Sequence, residues 1–153
     1  MKKSRIVLFY LIIFFVTFAA DRATKQYALG HWQHKQEVNQ FLSWQLVFNR
    51  GVTAGMFHTE NSFWFMLLSI FVACVASILA AYAYFRWKEQ HSIFGEIIVL
   101  SGAISNLIDR VVYGGVIDFI VISYGDWYFP VFNIADSCIV IGIMIIFFTH
   151  IKE

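Results

Sequence analysis

The sequence has little charge, a single proline and only two cysteines, and each shortage excludes a class of protein. Charged residues make up 14% of the 153 residues and the net charge is +1, so no basic patch for nucleic acid is expected. One proline, without a tract rich in glycine or serine, leaves no linker, and residues 1–153 are predicted to form a single domain. Cys74 and Cys138 lie in apolar segments without metal-ligand spacing, which favours a packing role.

The sequence as a whole is strongly apolar. Hydrophobic residues make up 59% and aromatic residues 19%, and the mean hydropathy is +0.67, which excludes an ordinary soluble domain. A helix needs about 20 residues to cross a hydrocarbon core of about 30 Å. The first and third of four apolar stretches reach that length only by continuing through Lys25 and Arg110. The four stretches are Ile6–Ala20, Phe63–Phe85, Ile93–Ile108 and Val131–Phe148.

The distribution of lysine and arginine predicts how these helices are oriented. The side predicted to face outward carries Arg22, Lys25, Lys35, Arg50 and Arg110. Of these five, Arg22, Lys25 and Arg110 lie at span ends within polar motifs, and the loops on that side, 26–61 and 111–131, are the longer ones. We therefore predict an all-α membrane protein with four transmembrane helices, both termini inside, and a function that faces outward. In a four-span arrangement, the opposite side of the membrane carries Lys2, Lys3, Arg5, Arg86, Lys88 and Lys152. The positive-inside rule assigns that side to the cytoplasm.

The outer loops are expected to hold a small β-cradle at the membrane surface. Between Phe41 and Phe48, bulky apolar residues alternate with other residues at period two, which predicts a half-buried strand. The second loop contains the aromatic, turn-prone segment 124–130, which suits the same interface. The alternative for the N-terminus is a cleaved signal peptide, because basic residues precede the apolar run, although three further spans follow it.

Polar residues gather at the outer ends of three predicted spans. Residues three or four positions apart share one face of a helix, so each group is expected to present a polar face at a common depth. Carboxylates inside a membrane are costly and mark functional sites by default. The residues are Asp21 and Lys25 in the first span, Asn106, Asp109 and Arg110 in the third, and Asn133 and Asp136 in the fourth.

Asp109 and Asp136 are the candidate catalytic pair. Two close carboxylates in a medium of low dielectric cannot both ionise easily, so they share a proton. The ionised member can activate water while the protonated member polarises a peptide carbonyl, without a metal or a cofactor. Asp118, in the second outer loop, is interpreted as structural support. The alternative for a single acid is an interfacial charge pair, or an early helix position favoured by the dipole.

Other functions have less support in the sequence. A zinc site has only His31 and His34 at a spacing of three and lacks a His-Glu-x-x-His motif. A proton-coupled transporter with Asp109 and Asp136 as a relay would carry ionisable residues through the midplane, whereas only Glu96 lies near the opposite end. A lipid-modifying transferase would bring an acidic metal-binding motif, and none is visible.

Five short strings follow one another along nearly the whole chain. They are Asp21-x-x-Thr24-Lys25, Asn49-Arg50-Gly51, Gly102-x-x-x-Asn106-x-x-Asp109-Arg110, Val116-x-Asp118-Phe119 and Phe132-Asn133-x-Ala135-Asp136. Together they resemble the signal peptidase II family of lipoprotein signal peptidases. The resemblance implies an aspartic endopeptidase with Asp109 and Asp136 as its dyad. It also implies a set of residues that line or support the site, namely Asp21, Lys25, Asn49, Gly51, Asn106, Arg110 and Asn133.

The resemblance also implies partners and a location. The substrate would be a bacterial prolipoprotein, cut just before its diacylglyceryl-modified cysteine at the outer side of the cytoplasmic (inner) membrane. Membrane lipid and the cyclic peptide globomycin are the other expected ligands, without a metal or nucleic acid, and we expect a monomer. Ser101 and Ser105 depart from the family pattern, which usually has glycine there. In the family pattern, glycine at position 105 is interpreted as allowing close helix packing or approach of the substrate, and Ser105 adds a side chain there.

Overall fold

The computed structural model describes residues 2–51 and 59–151, and over these ranges the chain forms four helices and a small sheet. Each predicted apolar stretch falls on a helix for most of its length, and the first helix extends beyond Lys25 to His31. In chain order the elements are α1 (Lys2–His31), β1 (Gln36–Glu37), β2 (Leu42–Asn49), α2 (Ser62–Lys88), α3 (Phe94–Tyr113), β3 (Val116–Tyr124), β4 (Trp127–Tyr128) and α4 (Ile134–His150).

Two of the helices have the length and composition of membrane spans. Within the described residues, Ser4–His31 and Ser62–Lys88 meet both requirements, and α4, with 17 residues, is a shorter apolar helix. These helices expose large apolar side chains such as Phe15 (60% exposed), Phe71 (63%) and Ile78 (69%). Such continuous apolar surfaces are unfavourable in water and are typical of helices that face lipid. The fold is that of a helical membrane protein, for which four spans remain the prediction.

The central helix is α3, which packs against α1, α2 and α4. Its contact with α4 is close because glycines occupy the interface. A Cβ atom at Gly102 would lie 2.5 Å from Ala135 O, and one at Gly142 would lie 2.8 Å from Gly95 O. Without side chains at these positions the two backbones approach each other. The close approach brings the first turn of α4, which contains Asp136, against α3.

The strands form one antiparallel sheet in the order β1-β2-β3-β4. Strand β2 confirms the strand predicted over Phe41–Phe48, with each bound moved by one residue. Strand β3 corrects the prediction, because 111–131 was expected to be a loop and nine of its residues form an inner strand of the sheet. From Val116 to Phe119 every residue is buried, so the alternation that reveals a half-buried strand is missing there.

The sheet rests on the C-terminal end of α1 through a small apolar core. Ala28, Ile117 and Phe119 are buried together in this core. The indole rings of Trp32 and Trp44 stack beside it, with their centroids 4.9 Å apart. Because β3 follows α3 directly, this core places the first residues of the strand beside the C-terminal ends of both α1 and α3.

Candidate active site

One group of polar side chains ties α1 to α3 through charge. The ammonium of Lys25 lies 2.8 Å from Asp21 Oδ2 and 2.8 Å from Asp109 Oδ2, and it donates a 2.6 Å hydrogen bond to Asn106 Oδ1. Arg22 forms an ion pair with the other oxygen of Asp109. Lys25 and both aspartates are buried, so these contacts replace the solvation that water would give. Asp109 is therefore held between two cations.

A second group joins the start of α4 to the sheet through three asparagines. Asn133 Nδ2 donates to Asp118 Oδ1 at 2.6 Å, and the backbone N–H of Asn133 donates to Asp136 Oδ2 at 3.2 Å. The other oxygen of Asp136 accepts from Asn106 Nδ2 at 3.0 Å. The other oxygen of Asp118 accepts from Asn49 Nδ2 at 2.9 Å. Two buried carboxylates thus share Asn133 and receive their hydrogen bonds from neutral groups.

Two helix ends create this geometry. Gly114, with a φ of 68°, ends α3 and turns the chain into β3, whose residue Ile117 donates its N–H to Asp109 Oδ2 at 3.2 Å. At the start of α4, Asn133 Oδ1 accepts the N–H of Asp136 at 2.8 Å while Asp136 accepts the N–H of Asn133. This reciprocal capping box satisfies two backbone groups that a helix end leaves unpaired. The carboxylates are thereby fixed by the backbone itself.

The environment of Asp118 differs from that of an ordinary carboxyl. Burial away from water, followed by the negative charge of Asp136, raises the pKa of Asp118 to about 8. Hydrogen bonds from Asn49 and Asn133 and the charge of Lys25 act in the opposite direction. The two effects that raise the pKa are those expected where two buried carboxyl groups share a proton.

The structure brings the predicted residues of the three helices together but groups the aspartates differently. Within the described residues, no hydrogen bond joins Asp109 to Asp136, and Lys25 and Asn106 form the link between them. Asp136 is instead joined to Asp118 through one shared asparagine. The predicted residues of the three helices therefore lie close together, and among the described contacts Asp109 and Asp136 are linked only indirectly.

Two residues of this network, Arg22 and Ser105, were not predicted as site residues, and Asp118 was predicted to lie in a loop whereas it lies in β3. Arg22 was placed at a span end within a polar motif, and Ser105 was noted as a departure from the family pattern. Asp118 was assigned to support, although an acid between the apolar residues Val116 and Phe119 is itself a signal, because a buried carboxylate needs specific partners.

In the part of the chain that the structure describes, no group of three or more His, Cys, Asp or Glu side chains is arranged to hold a metal ion.

An arginine and an apolar groove flank the two carboxylates. Arg110 donates through Nη2 to Gly51 O, and its guanidinium lies 5.5 Å from the centroid of the Phe65 ring. A polar centre beside an apolar groove can bind a molecule that has both a polar and an apolar part. The groove, of about 450 Å³, is lined by Asp136 and Ser137 together with Ile122, Trp127, Phe129, Phe132, Val140 and Ile141.

Similarity to known proteins decides the family. The family model described as Signal peptidase (SPase) II matches residues 13–152. The chain belongs to the signal peptidase II family. The curated lipoprotein signal peptidase of Polynucleobacter necessarius is 33% identical over 154 residues, covering 99% of this chain and 94% of its own length. That of Buchnera aphidicola is 35% identical and covers 95% of each chain. The resemblance predicted from the five strings is confirmed.

Two solved structures share the fold of this signal peptidase II family member. Both are described as structures of a bacterial membrane enzyme obtained by the in meso method. They superpose with TM-scores of 0.74 and 0.73 at identities of 25% and 28%, and each covers 94% of this chain. The matches cover 87% and 93% of the other chains. The family is thus one of bacterial membrane enzymes, in agreement with the apolar helices described above.

Proposed function

We propose that this protein is an endopeptidase that removes the signal peptide from bacterial prolipoproteins, cutting before a diacylglyceryl-modified cysteine. Membership of the signal peptidase II family supports the reaction, and the relatives carry the name lipoprotein signal peptidase. The observation that carries the mechanism is the pair Asp118 and Asp136, two buried carboxylates bound to one asparagine. Among the described ion pairs, neither carboxylate has a cation as its partner.

The dyad works by sharing one proton. Because two interacting buried carboxyl groups cannot both ionise easily, one of them is protonated near neutral pH. The ionised member takes a proton from water as the water attacks the scissile carbonyl, and the protonated member donates to the carbonyl oxygen. Collapse of the tetrahedral intermediate breaks the C–N bond, passes a proton to the departing amine and restores the dyad.

This assignment replaces the predicted pairing of Asp109 with Asp136. Asp109 pairs one oxygen with Arg22 and the other with Lys25, and it has no described contact with a second carboxylate. The second oxygen also accepts the N–H of Ile117 in β3. The role of Asp109 is therefore to hold α1, α3 and the sheet in the arrangement that the dyad requires.

The surroundings of the dyad suit a substrate that joins peptide to lipid. The apolar groove reaches Asp136, and we assign the acyl chains of the modified cysteine to it. Arg110 Nη1 is buried and has no hydrogen-bond partner among the described residues, so we assign it to a carbonyl of the substrate main chain. With both termini inside, as the distribution of lysine and arginine predicts, the site would open to the extracytoplasmic side of the inner membrane.

The test is cleavage of a purified diacylglyceryl-modified prolipoprotein by the full-length protein in lipid vesicles. Asp118→Asn and Asp136→Asn keep size and shape, so both variants should fold and lose about a thousandfold or more in kcat. Asp126→Asn changes an exposed acid in the turn between β3 and β4 and serves as the control with wild-type activity. Asp109→Asn should lower the unfolding temperature, because it leaves Lys25 and Arg22 short of a partner.

Several results would contradict the proposal. Cleavage that survives Asp118→Asn while a stably folded Asp109→Asn variant is inactive would restore the pairing predicted from the sequence. Proton flux across the vesicle membrane without any cleavage would favour the transporter. The proposal also predicts that globomycin inhibits cleavage and that an unlipidated precursor remains uncut. The opposite result in either assay would contradict it.

A further inference from the structure

We infer that Ser105 is a positioning residue for the cleavage reaction, an inference that rests on the proposed function. Its side chain is fully buried between α3 and α1, and its hydroxyl donates a 2.6 Å hydrogen bond to Asp21 Oδ2. None of its described contacts is with Asp118 or Asp136. Ser105 acts on the dyad through Asp21, along two branches of hydrogen bonds.

The first branch connects Asp21 to the backbone of α4. Asp21 Oδ1 accepts the N–H of Ala135 at 2.7 Å, while its Oδ2 is bound by Ser105 at 2.6 Å and by Lys25 at 2.8 Å. The first N–H groups of a helix have no partner within that helix, so Asp21 supplies an acceptor that the start of α4 lacks. Because Ala135 precedes Asp136, the orientation of the Asp21 carboxylate sets the position of one dyad member.

The second branch connects Asp21 to the side chain of Asp136. Lys25, which binds Asp21, donates to Asn106 Oδ1 at 2.6 Å, and Asn106 Nδ2 donates to Asp136 Oδ1 at 3.0 Å. The hydroxyl of Ser105 is therefore connected through Asp21 to both the backbone next to Asp136 and the carboxylate of Asp136. Without that hydroxyl, Asp21 Oδ2 keeps only Lys25 in a site closed to water, and the carboxylate is free to turn toward the ammonium.

Ser101 provides a matched control one helical turn earlier on the same face of α3. It is 1% exposed where Ser105 is 0% exposed, and its hydroxyl is 2.7 Å from Thr17 Oγ1, again between α3 and α1. Its described contacts do not include the network around the dyad. Changing either serine to alanine removes the same atom and one hydrogen bond between the helices, so both variants should lose similar thermal stability.

The experiment compares kcat, KM and unfolding temperature for the full-length wild type, Ser105→Ala, Ser101→Ala and Ser105→Thr, with a diacylglyceryl-modified prolipoprotein as substrate. Ser105→Ala should lower kcat about tenfold, because the lost bond is to a charged group, and should leave KM within about twofold. Ser101→Ala should keep the wild-type kcat. Ser105→Thr, which retains the hydroxyl, should recover most of the lost kcat.

The control separates positioning from general stability. The inference is overturned if Ser105→Ala cleaves at the wild-type rate, or if Ser101→Ala loses as much kcat as Ser105→Ala. A lower unfolding temperature for Ser105→Ala with no change in kcat also overturns it. A wild-type protein that leaves the precursor uncut overturns the proposed function and this inference together, and is recognised without any variant.

Discussion

At the scale of single residues, the candidate site separates the ion pairs from the proposed catalytic dyad. Lys25 and Arg22 are engaged by two other aspartates, while Asp118 and Asp136 receive hydrogen bonds from amides. A cation bound directly to the dyad would favour two ionised carboxylates and would remove the proton that the reaction needs. An asparagine such as Asn133 donates hydrogen bonds without adding charge, so the amides bind the proposed dyad without favouring loss of its proton.

The rate of cleavage is expected to fall as the pH rises through about 8. The active dyad holds one proton, and the raised pKa of Asp118 means that this proton is present below about pH 8 and lost above it. Beyond that point kcat/KM should fall about tenfold for each pH unit, because kcat/KM reports the pKa values of the substrate-free enzyme. Initial rates at substrate concentrations well below KM, measured from about pH 6 to about pH 10, test this expectation.

Asn49 offers a way to move this alkaline limb of the pH profile. Its hydrogen bond lowers the pKa of Asp118, so Asn49→Ala should raise that pKa and shift the limb to higher pH. Asn39→Ala is the control. Asn39 accepts backbone N–H groups at the start of β2, but it is exposed and has no described contact with Asp118. A limb that stays in place or moves to lower pH in Asn49→Ala would show that Asp118 does not control it.

At the scale of elements, α3 determines the geometry of the site. It contributes polar side chains to both groups of the site and packs against each of the other three helices. The N-terminus of α4 must lie close to it, because Asn106 reaches Asp136 with a short amide side chain. Gly102 permits this approach, since the backbone oxygen of Ala135 occupies the space that a Cβ atom would fill.

Gly102→Ala is therefore expected to damage both stability and activity. The added methyl group would meet a backbone oxygen that cannot move without shifting α4, at a cost of about 1–3 kcal/mol, and the shift would displace Asp136 and lower kcat. Gly30→Ala is the matched control, because Gly30 also lies in a helix but has open space at the Cβ position. Equal behaviour of the two variants in thermal unfolding and cleavage assays would contradict this account of the α3–α4 contact.

At the scale of the whole molecule, polar clusters occupy both ends and apolar surface lies between them. At the end away from the site, Arg86 forms a buried ion pair with Glu96 at 3.1 Å, and His150 Nε2 lies 3.1 Å from Arg86 Nη1. This cluster joins α2, α3 and α4. Glu96 and Asp109 are 13 residues apart on α3, or about 20 Å along the helix. This separation is about 10 Å shorter than a hydrocarbon core of about 30 Å, so clusters near the two faces of a membrane would lie just inside the core.

The orientation of the molecule can be tested with single cysteines. In a variant with Cys74 and Cys138 changed to alanine, Gln40→Cys lies in an exposed part of the sheet region and Glu89→Cys lies at the exposed end of α2. With both termini inside, a membrane-impermeant maleimide added to intact spheroplasts should label the cysteine at position 40 and not that at 89. Permeabilised cells, in which both should react, give the control, and the reverse pattern would contradict the orientation.

Composition and local pattern were sufficient for much of the fold. The apolar runs located the helices, and the alternation near Phe41–Phe48 located β2, because partition between lipid and water acts on each segment by itself. The same patterns could not reveal β3. Its first residues are buried on both faces, so their sequence resembles any short apolar run, and only pairing with β2 identifies the strand.

For the site, the sequence by itself determined the membrane class, the family and the polar residues that meet near the ends of α1, α3 and α4. Only the tertiary structure decided which carboxylate shares Asn133 with Asp136. Asp109 and Asp118 stand nine residues apart on either side of a turn, and nothing in local periodicity distinguishes them. The distinction depends on distances between elements, since Lys25 and Arg22 reach Asp109 while Asn133 reaches Asp118. Electrostatic pairing acts through space, and packing sets those distances.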